Sequence, residues 1–288
     1  MDNIYHSIRQ NLTFNKFELG DLLFVEYTCP LSEDDIAIYS QTDYIVHVLS
    51  GKKVWKTNQN HWVVETGDTI FIRKGAFFVD QYFDDEFCMF GFFIPDDFIR
   101  TTIREITGKV PSPGQTVGGT FEAERINSND MLDGFFKSMY PFFKHLETPS
   151  AALLELKLKE LIINVLCSKS NPRLSAYFQS LIEKDRPYIP EVMERNFSFN
   201  LSLEEFAKLC HRSLSSFKRD FHQHFEESPG KWLLNKRLDY ASILLRTQHL
   251  NISRAAYQSG FEDASHFSRA FKHKFGLSPN QYRNAVRT

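Results

Sequence analysis

Apolar positions follow two different rhythms along this 288-residue chain. Up to about Pro95 they form short β-branched and aromatic runs. These are Leu22-Leu23-Phe24-Val25, Tyr44 to Leu49, Val54-Trp55, His61 to Val64, Thr69 to Ile72, Ala76 to Val79 and Phe87 to Ile94. Turn formers separate the runs at Ser50-Gly51-Lys52, Asn58-Gln59-Asn60, Thr66-Gly67-Asp68 and Lys74-Gly75. Short strands spaced roughly ten residues apart predict an antiparallel barrel or sandwich.

From Pro95 to about Asn127 the chain reads as loop, with Pro111-Ser112-Pro113-Gly114 and Gly118-Gly119 opposing any continuous element. Beyond it the rhythm becomes helical. Asp130 to Leu146 predicts a helix broken at Pro141. Ala151 to Cys167 carries the cleanest stripe, with Leu154, Leu158, Leu161 and Val165 at spacings of three and four, widened by Leu153 and Ile162. Asn171 to Asp185 predicts a further helix. Arg186-Pro187 then marks a boundary between residues 1–185 and 186–288.

The last third contains one stretch twice. Phe217 to Trp232 (FKRDFHQHFEESPGKW) and Phe267 to Tyr282 (FSRAFKHKFGLSPNQY) lie fifty positions apart. Phe217 falls on Phe267, Arg219 on Arg269, Phe221 on Phe271, Phe225 on Phe275, and Ser228-Pro229 on Ser278-Pro279. Upstream the register slips by one, so that Phe206-Ala207 meets Ala255-Ala256 and His211 meets Gly260. Two helix-length blocks joined at a turn and repeated once predict a tandem helix-turn-helix. Tyr188 to Asn196 predicts its first helix, and Ser202-Leu203-Glu204-Glu205 is a capping box opening the second. Ser228-Pro229 starts a long helix, ending near Arg246, that links the two halves.

Charge follows the same division. From Arg186 onward there are 16 Lys and Arg against 10 Asp and Glu, leaving 18 against 26 before it. A part of net charge +6 attached to one of −8 points to a polyanion partner for the C-terminal part alone. Cys29, Cys88, Cys167 and Cys210 are widely spaced and read as buried thiols of a reducing compartment. MDNIYHSIRQ lacks a basic segment followed by an apolar one, and no run of eighteen apolar residues occurs, so neither a signal peptide nor a membrane span is expected. The expected location is the cytoplasm.

Residues from about Ser202 to Arg287 resemble the DNA-binding domain of the AraC/XylS transcriptional regulators. The run Ile252-Ser253-Arg254-Ala255-Ala256-Tyr257-Gln258-Ser259-Gly260-Phe261 carries the resemblance, followed by His266-Phe267-Ser268-Arg269-Ala270-Phe271-Lys272. It continues through Phe275-Gly276-Leu277-Ser278-Pro279 to Tyr282-Arg283. The first copy departs at His211, where the family often has glycine. The resemblance implies an α+β chain of two domains. The first is a cupin-like, jelly-roll barrel with flanking helices, and the second an all-α double helix-turn-helix. It implies an activator that partners DNA and RNA polymerase. The helix at 151–167 is either a protomer-pairing element, as is common in the family, or packs only on its own barrel. The family's usual proline and histidine near Arg73-Lys74-Gly75 are missing here. This resembles members whose first domain answers to a protein rather than a sugar, among them activators of type III secretion.

The phenylalanine ladders assign the site. Recognition helices are expected at about 213–225 and 263–275, with Phe217, Phe221 and Phe225, and Phe267, Phe271 and Phe275, facing inward. That leaves Ser215, Ser216, Lys218 and Arg219 outward on the first, and Ser265, His266, Ser268 and Arg269 outward on the second. Lys272, Lys274 and Arg283 are expected on phosphates. In the barrel, Tyr44, His47, Trp55 and Phe71 are candidates for lining a ligand cavity. Metal-binding cupins place a histidine after a Gly-Asp turn. Here Phe77-Phe78 follow Gly67-Asp68, and His47 and His61 stand isolated, so neither metal nor cofactor is expected. The reading is therefore of a regulator and not an enzyme, governed through its barrel by a small molecule or a partner protein. Its alternatives are a cupin-type enzyme with an appended helical domain, and a ligand-free regulator held by an anti-activator protein.

Overall fold

The computed structural model describes residues 1–28, 36–81, 86–106, 121–144, 148–183, 186–247 and 250–285. Cys29 and the glycine- and proline-rich segment 111–119 lie outside them. The chain divides into two compact units, residues 2–185 and residues 186–288.

The first unit begins with β1 (Asp2–Asn3), α1 (Ile4–Gln10), β2 (Asn15–Leu19), β3 (Leu22–Thr28), β4 (Ile36–Ser40), β5 (Asp43–Ser50) and β6 (Lys52–Lys56). It continues with β7 (His61–Glu65), β8 (Thr69–Ile72), β9 (Gly75–Gln81), β10 (Cys88–Ile94), α2 (Asp96–Ile106), β11 (Ala123–Arg125), α3 (Asp130–Lys144), α4 (Ala151–Cys167) and α5 (Pro172–Glu183). The strands form two sheets, ordered β1-β4-β9-β6-β7 and β11-β8-β5-β10-β3-β2. Every pairing is antiparallel except that of β1 with β4. No strand pairing joins the two sheets among the described residues, so of the expected antiparallel barrel or sandwich the strands form a two-sheet, jelly-roll-like sandwich. The chain crosses between sheets at the β5–β6 turn. There Gly51 takes φ +79°, and a Cβ on it would lie 2.9 Å from the Phe87 Cα.

The period of two decides which side chain goes where. Tyr44, Val46 and Val48 of β5 face the sandwich interior with Trp55, Phe77, Val79 and Phe93. Ile45 of the same strand faces the other way with Phe24, Phe71, Phe90 and Phe92, under Leu132, Phe135, Phe136, Leu158 and Phe178 of the helices. The six-stranded sheet is thus buried on both faces, which is why its strands read as unbroken apolar runs such as CMFGFFI.

Two expectations fail in the connecting region. The stretch read as loop contains α2 and β11. Part of the reason is an acid just past the proline. Asp96 is buried and paired with the buried Lys74 ammonium, whose backbone N–H donates to Asp43 Oδ1 at 2.7 Å. Lys74 therefore fastens α2 to the sheet. The second miss is Pro141, which lies inside α3 without ending it. Pro141 and Lys137, whose carbonyl loses its partner, are both exposed, so water can replace the missing bond.

The second unit is all helical: α6 (Ile189–Asn196), α7 (Leu203–Leu209), α8 (Leu214–Phe225), α9 (Pro229–Thr247), α10 (Ile252–Gln258), α11 (Ala264–Phe275) and α12 (Pro279–Ala285). The capping box opens α7: Ser202 Oγ accepts from the Glu205 N–H, and Glu205 Oε2 accepts from the Ser202 N–H. No helix among the described residues is long and apolar enough to cross a membrane.

Candidate nucleic-acid interface

Both copies of the repeat fold alike. The turn before α8 carries His211 at φ +52° and the turn before α11 carries Gly260 at φ +89°. Each reading helix is capped by a side chain, Ser213 accepting from the Ser216 N–H and Asp263 from the His266 N–H. Each ends on a left-handed residue, Glu226 at φ +54° and Gly276 at φ +76°.

Phenylalanines four residues apart fall on one face of a helix. Phe217 lies 5.9 Å from Phe221, and Phe221 4.4 Å from Phe225, with Trp232 of α9 5.1 Å beyond Phe225. In the second copy Phe267, Phe271 and Phe275 are spaced 5.4 Å and 4.5 Å, with Tyr282 of α12 5.5 Å beyond. With those faces buried, the opposite faces are presented outward. Ser215, Lys218 and Arg219 are exposed on α8, and Ser265, His266 and Arg269 on α11, while Ser216 and Ser268 are half-buried.

The linker helix α9 serves both copies. Trp232 closes the first ladder, while Leu238, Ala241, Leu244 and Leu245 pack with Phe267 and Phe271 of the second. Arg237 donates from Nε to the Phe197 carbonyl and from Nη2 to the Phe199 carbonyl, each at 2.7 Å. Burial pushes its guanidinium down to about 10, still charged at neutral pH.

The three residues expected on phosphates separate. Lys272 is exposed on α11. Lys274 turns back onto α9, donating to the Asn235 carbonyl at 2.9 Å and pairing with Asp239 at 2.8 Å. Arg283 is half-buried and donates to Asn280 Oδ1 at 2.7 Å and to the Leu250 carbonyl at 3.4 Å. Lys274 and Arg283 are therefore already engaged within the helical unit.

Asp220 is the residue that the outward-face argument passed over. It accepts from Arg212 Nε on Oδ2 at 3.0 Å and from Arg219 Nη2 on Oδ1 at 3.0 Å. The Arg212 guanidinium holds its carboxyl below the usual carboxylate range, with Arg219 adding to the effect. The available signal was a lone acid in LSSFKRDFHQHF, a helix otherwise neutral or basic.

In the first unit the four cavity candidates do not share one lining. Tyr44 and Trp55, joined by a 3.2 Å hydrogen bond from the indole N–H to the phenol oxygen, line a cavity of about 210 Å³ with Ile4, Ile8, Phe14 and Lys53. Lys53 is buried, its ammonium 5.1 Å from the Phe87 ring centroid. His47 and Phe71 lie on the opposite face of the sheet. His47 stacks on Phe136 at 4.0 Å with Nδ1 2.9 Å from Thr69 Oγ1, and Phe71 packs against Phe178. Tyr44 and His47 are three apart, an odd separation on a strand, and Phe71 pairs in register with Ile45, one from Tyr44, so neither His47 nor Phe71 shares a face with Tyr44. Among the described residues no group of three His, Cys, Asp or Glu could hold a metal ion.

A duplicated helix-turn-helix with outward arginines on a basic unit defines a DNA-binding protein of the helix-turn-helix class. Family comparison agrees. An ExsA N-terminal regulatory domain matches residues 43–177, and a helix-turn-helix domain matches residues 206–285. Thermoregulatory protein LcrF of Yersinia pestis is 21% identical over 263 residues, spanning 91% of this chain and 96% of its own. The HTH-type transcriptional regulator ExsA of Pseudomonas aeruginosa is 22% identical over 246 residues, spanning 82% and 84%. Among solved structures, the DNA-binding domain of AdpA in complex with a target DNA is 25% identical. It covers 34% of this chain and 89% of its own, with a TM-score of 0.33. Both matched regions are domains of AraC-type regulators, and the chain is a DNA-binding transcriptional regulator.

Proposed function

We propose that the chain activates transcription by placing α8 and α11 in successive major grooves on one face of a duplex, their centres about 10–10.5 bp apart. Arg219 and Arg269 take guanine edges, the neighbouring serines, Lys218 and His266 take adjoining bases, and Lys272 takes a phosphate. Once seated, the protein contacts RNA polymerase in the cytoplasm and performs no catalysis itself. Residues 1–185 govern this activity and residues 186–288 carry it out. The regulating signal is a small molecule or a partner protein, and the apolar cavity beside Tyr44 and Trp55 favours the small molecule. Helix α4, whose Leu153 and Leu156 are exposed, pairs two protomers.

The observation that carries this reading is the paired set of phenylalanine ladders, buried at Phe217 and Phe221 and at Phe267 and Phe271, each leaving an exposed arginine at the same place. Binding assays of the full chain with Arg219→Ala and Arg269→Ala test it. Each substitution should cost about 1–3 kcal/mol and relax preference at a separate base pair. Unchanged affinity and preference in both would end the assignment. For the first unit, a ligand at about a hundred times its Kd stabilises by ~2.7 kcal/mol, which a thermal-shift screen detects.

A further inference from the structure

The two reading helices differ at the position that follows the outward arginine. Arg219 is followed by Asp220, and Arg269, fifty positions on, by Ala270. Around Asp220 a chain of contacts runs from the interior to the exposed face of α8. Arg212 donates from Nη1 to the Pro187 carbonyl at 3.0 Å and the Cys210 carbonyl at 2.7 Å, which fixes it to the body of the unit. Its Nε grips Asp220 Oδ2 at 3.0 Å, and Ser216 Oγ lies 3.4 Å from the same oxygen. The other carboxylate oxygen, Oδ1, receives Arg219 Nε at 3.1 Å and Nη2 at 3.0 Å. Arg219 Nη2 also reaches Ser216 Oγ at 3.3 Å. Exposure rises along this chain, from 13% for the Arg212 side chain through 20% for Asp220 to 70% for Arg219. Arg269, in contrast, donates from Nε to the Ser265 carbonyl of its own helix at 3.4 Å.

We infer that Asp220 is a positioning residue for base reading: it braces Arg219, so that the first helix presents a pre-aimed guanidinium and the second an adaptable one. The inference rests on the reading that Arg219 meets a base edge. An ion pair this exposed contributes little to folding, and a carboxylate beside DNA opposes the phosphates, so a role in general affinity does not account for it. Geometry does. The brace engages Nε and Nη2 and leaves the Nη1 hydrogens for a base edge, and a guanidinium held at a set angle suits a guanine acceptor, O6 or N7. A side chain ordered before binding loses less entropy when it binds. The second reading helix, lacking this brace, tolerates more variation at its own base pair.

The test uses the full-length protein and a duplex selected from a random pool by the wild-type chain. Relative affinities for every single-base change are measured with Asp220→Ala, Arg219→Ala, the double variant, and Asp220→Asn, which keeps an acceptor for Arg212. Circular dichroism monitors folding. Asp220→Ala should lower discrimination about two- to twelvefold, the range that ordering one long side chain is worth. The loss should fall at the base pair that Arg219→Ala relaxes, while binding to random duplex holds or tightens. Added to Arg219→Ala it should change nothing further at that pair. In the second reading helix Ala270→Asp should sharpen discrimination at the pair relaxed by Arg269→Ala. If Arg219→Ala relaxes a pair that Asp220→Ala and Asp220→Asn leave alone or sharpen, or if these flatten all positions alike, the brace is overturned. If Arg219→Ala relaxes no pair, the DNA contact fails and the brace with it.

Discussion

Gly260 of the second turn closes directly on Arg237 of the linker helix: a Cβ on Gly260 would lie 2.8 Å from the guanidinium Nε and 3.0 Å from the Ser198 carbonyl oxygen. The same guanidinium holds the carbonyls of Phe197 and Phe199, just before the first helix-turn-helix. One junction therefore ties the start of the first copy, the strut and the turn of the second. Gly260→Ala combines a left-handed φ with a contact against backbone, and it should cost at least about 2 kcal/mol. Urea denaturation of the full chain, followed in the helical unit, checks this. A loss under ~0.5 kcal/mol would show that the junction yields.

The C-terminal end of α8 offers the opposite sign. Glu226 is exposed at φ +54°, where the second copy has Gly276 at φ +76°. Glu226→Gly removes the strain of a Cβ in the left-handed region and should stabilise by about 0.5–1 kcal/mol. The measurement is the denaturation midpoint at constant m-value.

His47 makes the first unit sensitive to acid. Burial, only partly offset by Asp133, pushes its imidazole down to about 4, from roughly 6.5 in the unfolded chain. The folded state thus resists protonation. Its contribution is complete above pH ~6.5 and is lost as pH falls toward about 4, with a slope of at most ~1.4 kcal/mol per pH unit. Between pH 7 and pH 5 the wild type should lose about 1–2 kcal/mol more than His47→Gln. Equal losses would place the imidazole in a wetter setting than its stack on Phe136 describes.

Lys272 and Lys274 should part in their response to salt. Lys272→Ala should reduce the slope of log K against log salt by about 1. Lys274→Ala should leave that slope alone and cost under ~1 kcal/mol of stability, since its ammonium already pairs with Asp239.

The sequence showed the helical unit clearly because its fold is written in spacing. Phenylalanines at four-residue intervals, serine and aspartate caps and left-handed turn positions each state a local rule, and the repeat states each one twice. The first unit was legible as the strands of an antiparallel barrel or sandwich, but not as the face each side chain takes. Side chains alternate faces, and a strand buried on both sides, like Cys88–Ile94, gives no sign of which face a residue takes. That parity separated His47 from Tyr44. The partners that Lys274 and Arg283 hold within the unit were not legible, because charge at the surface says nothing of which partner lies within reach. Asp220 was passed over for the same reason, and so were the buried Lys74–Asp96 pair and the α2 it fastens.

The most direct measurement is selection of the wild-type full-length chain's preferred sites from random duplex DNA, with spacing between conserved positions read from the pool. Two blocks centred about 10–10.5 bp apart at constant separation are expected, one blurred by Arg219→Ala and the other by Arg269→Ala. A single block, or two whose spacing drifts freely, would contradict two reading helices held by one strut.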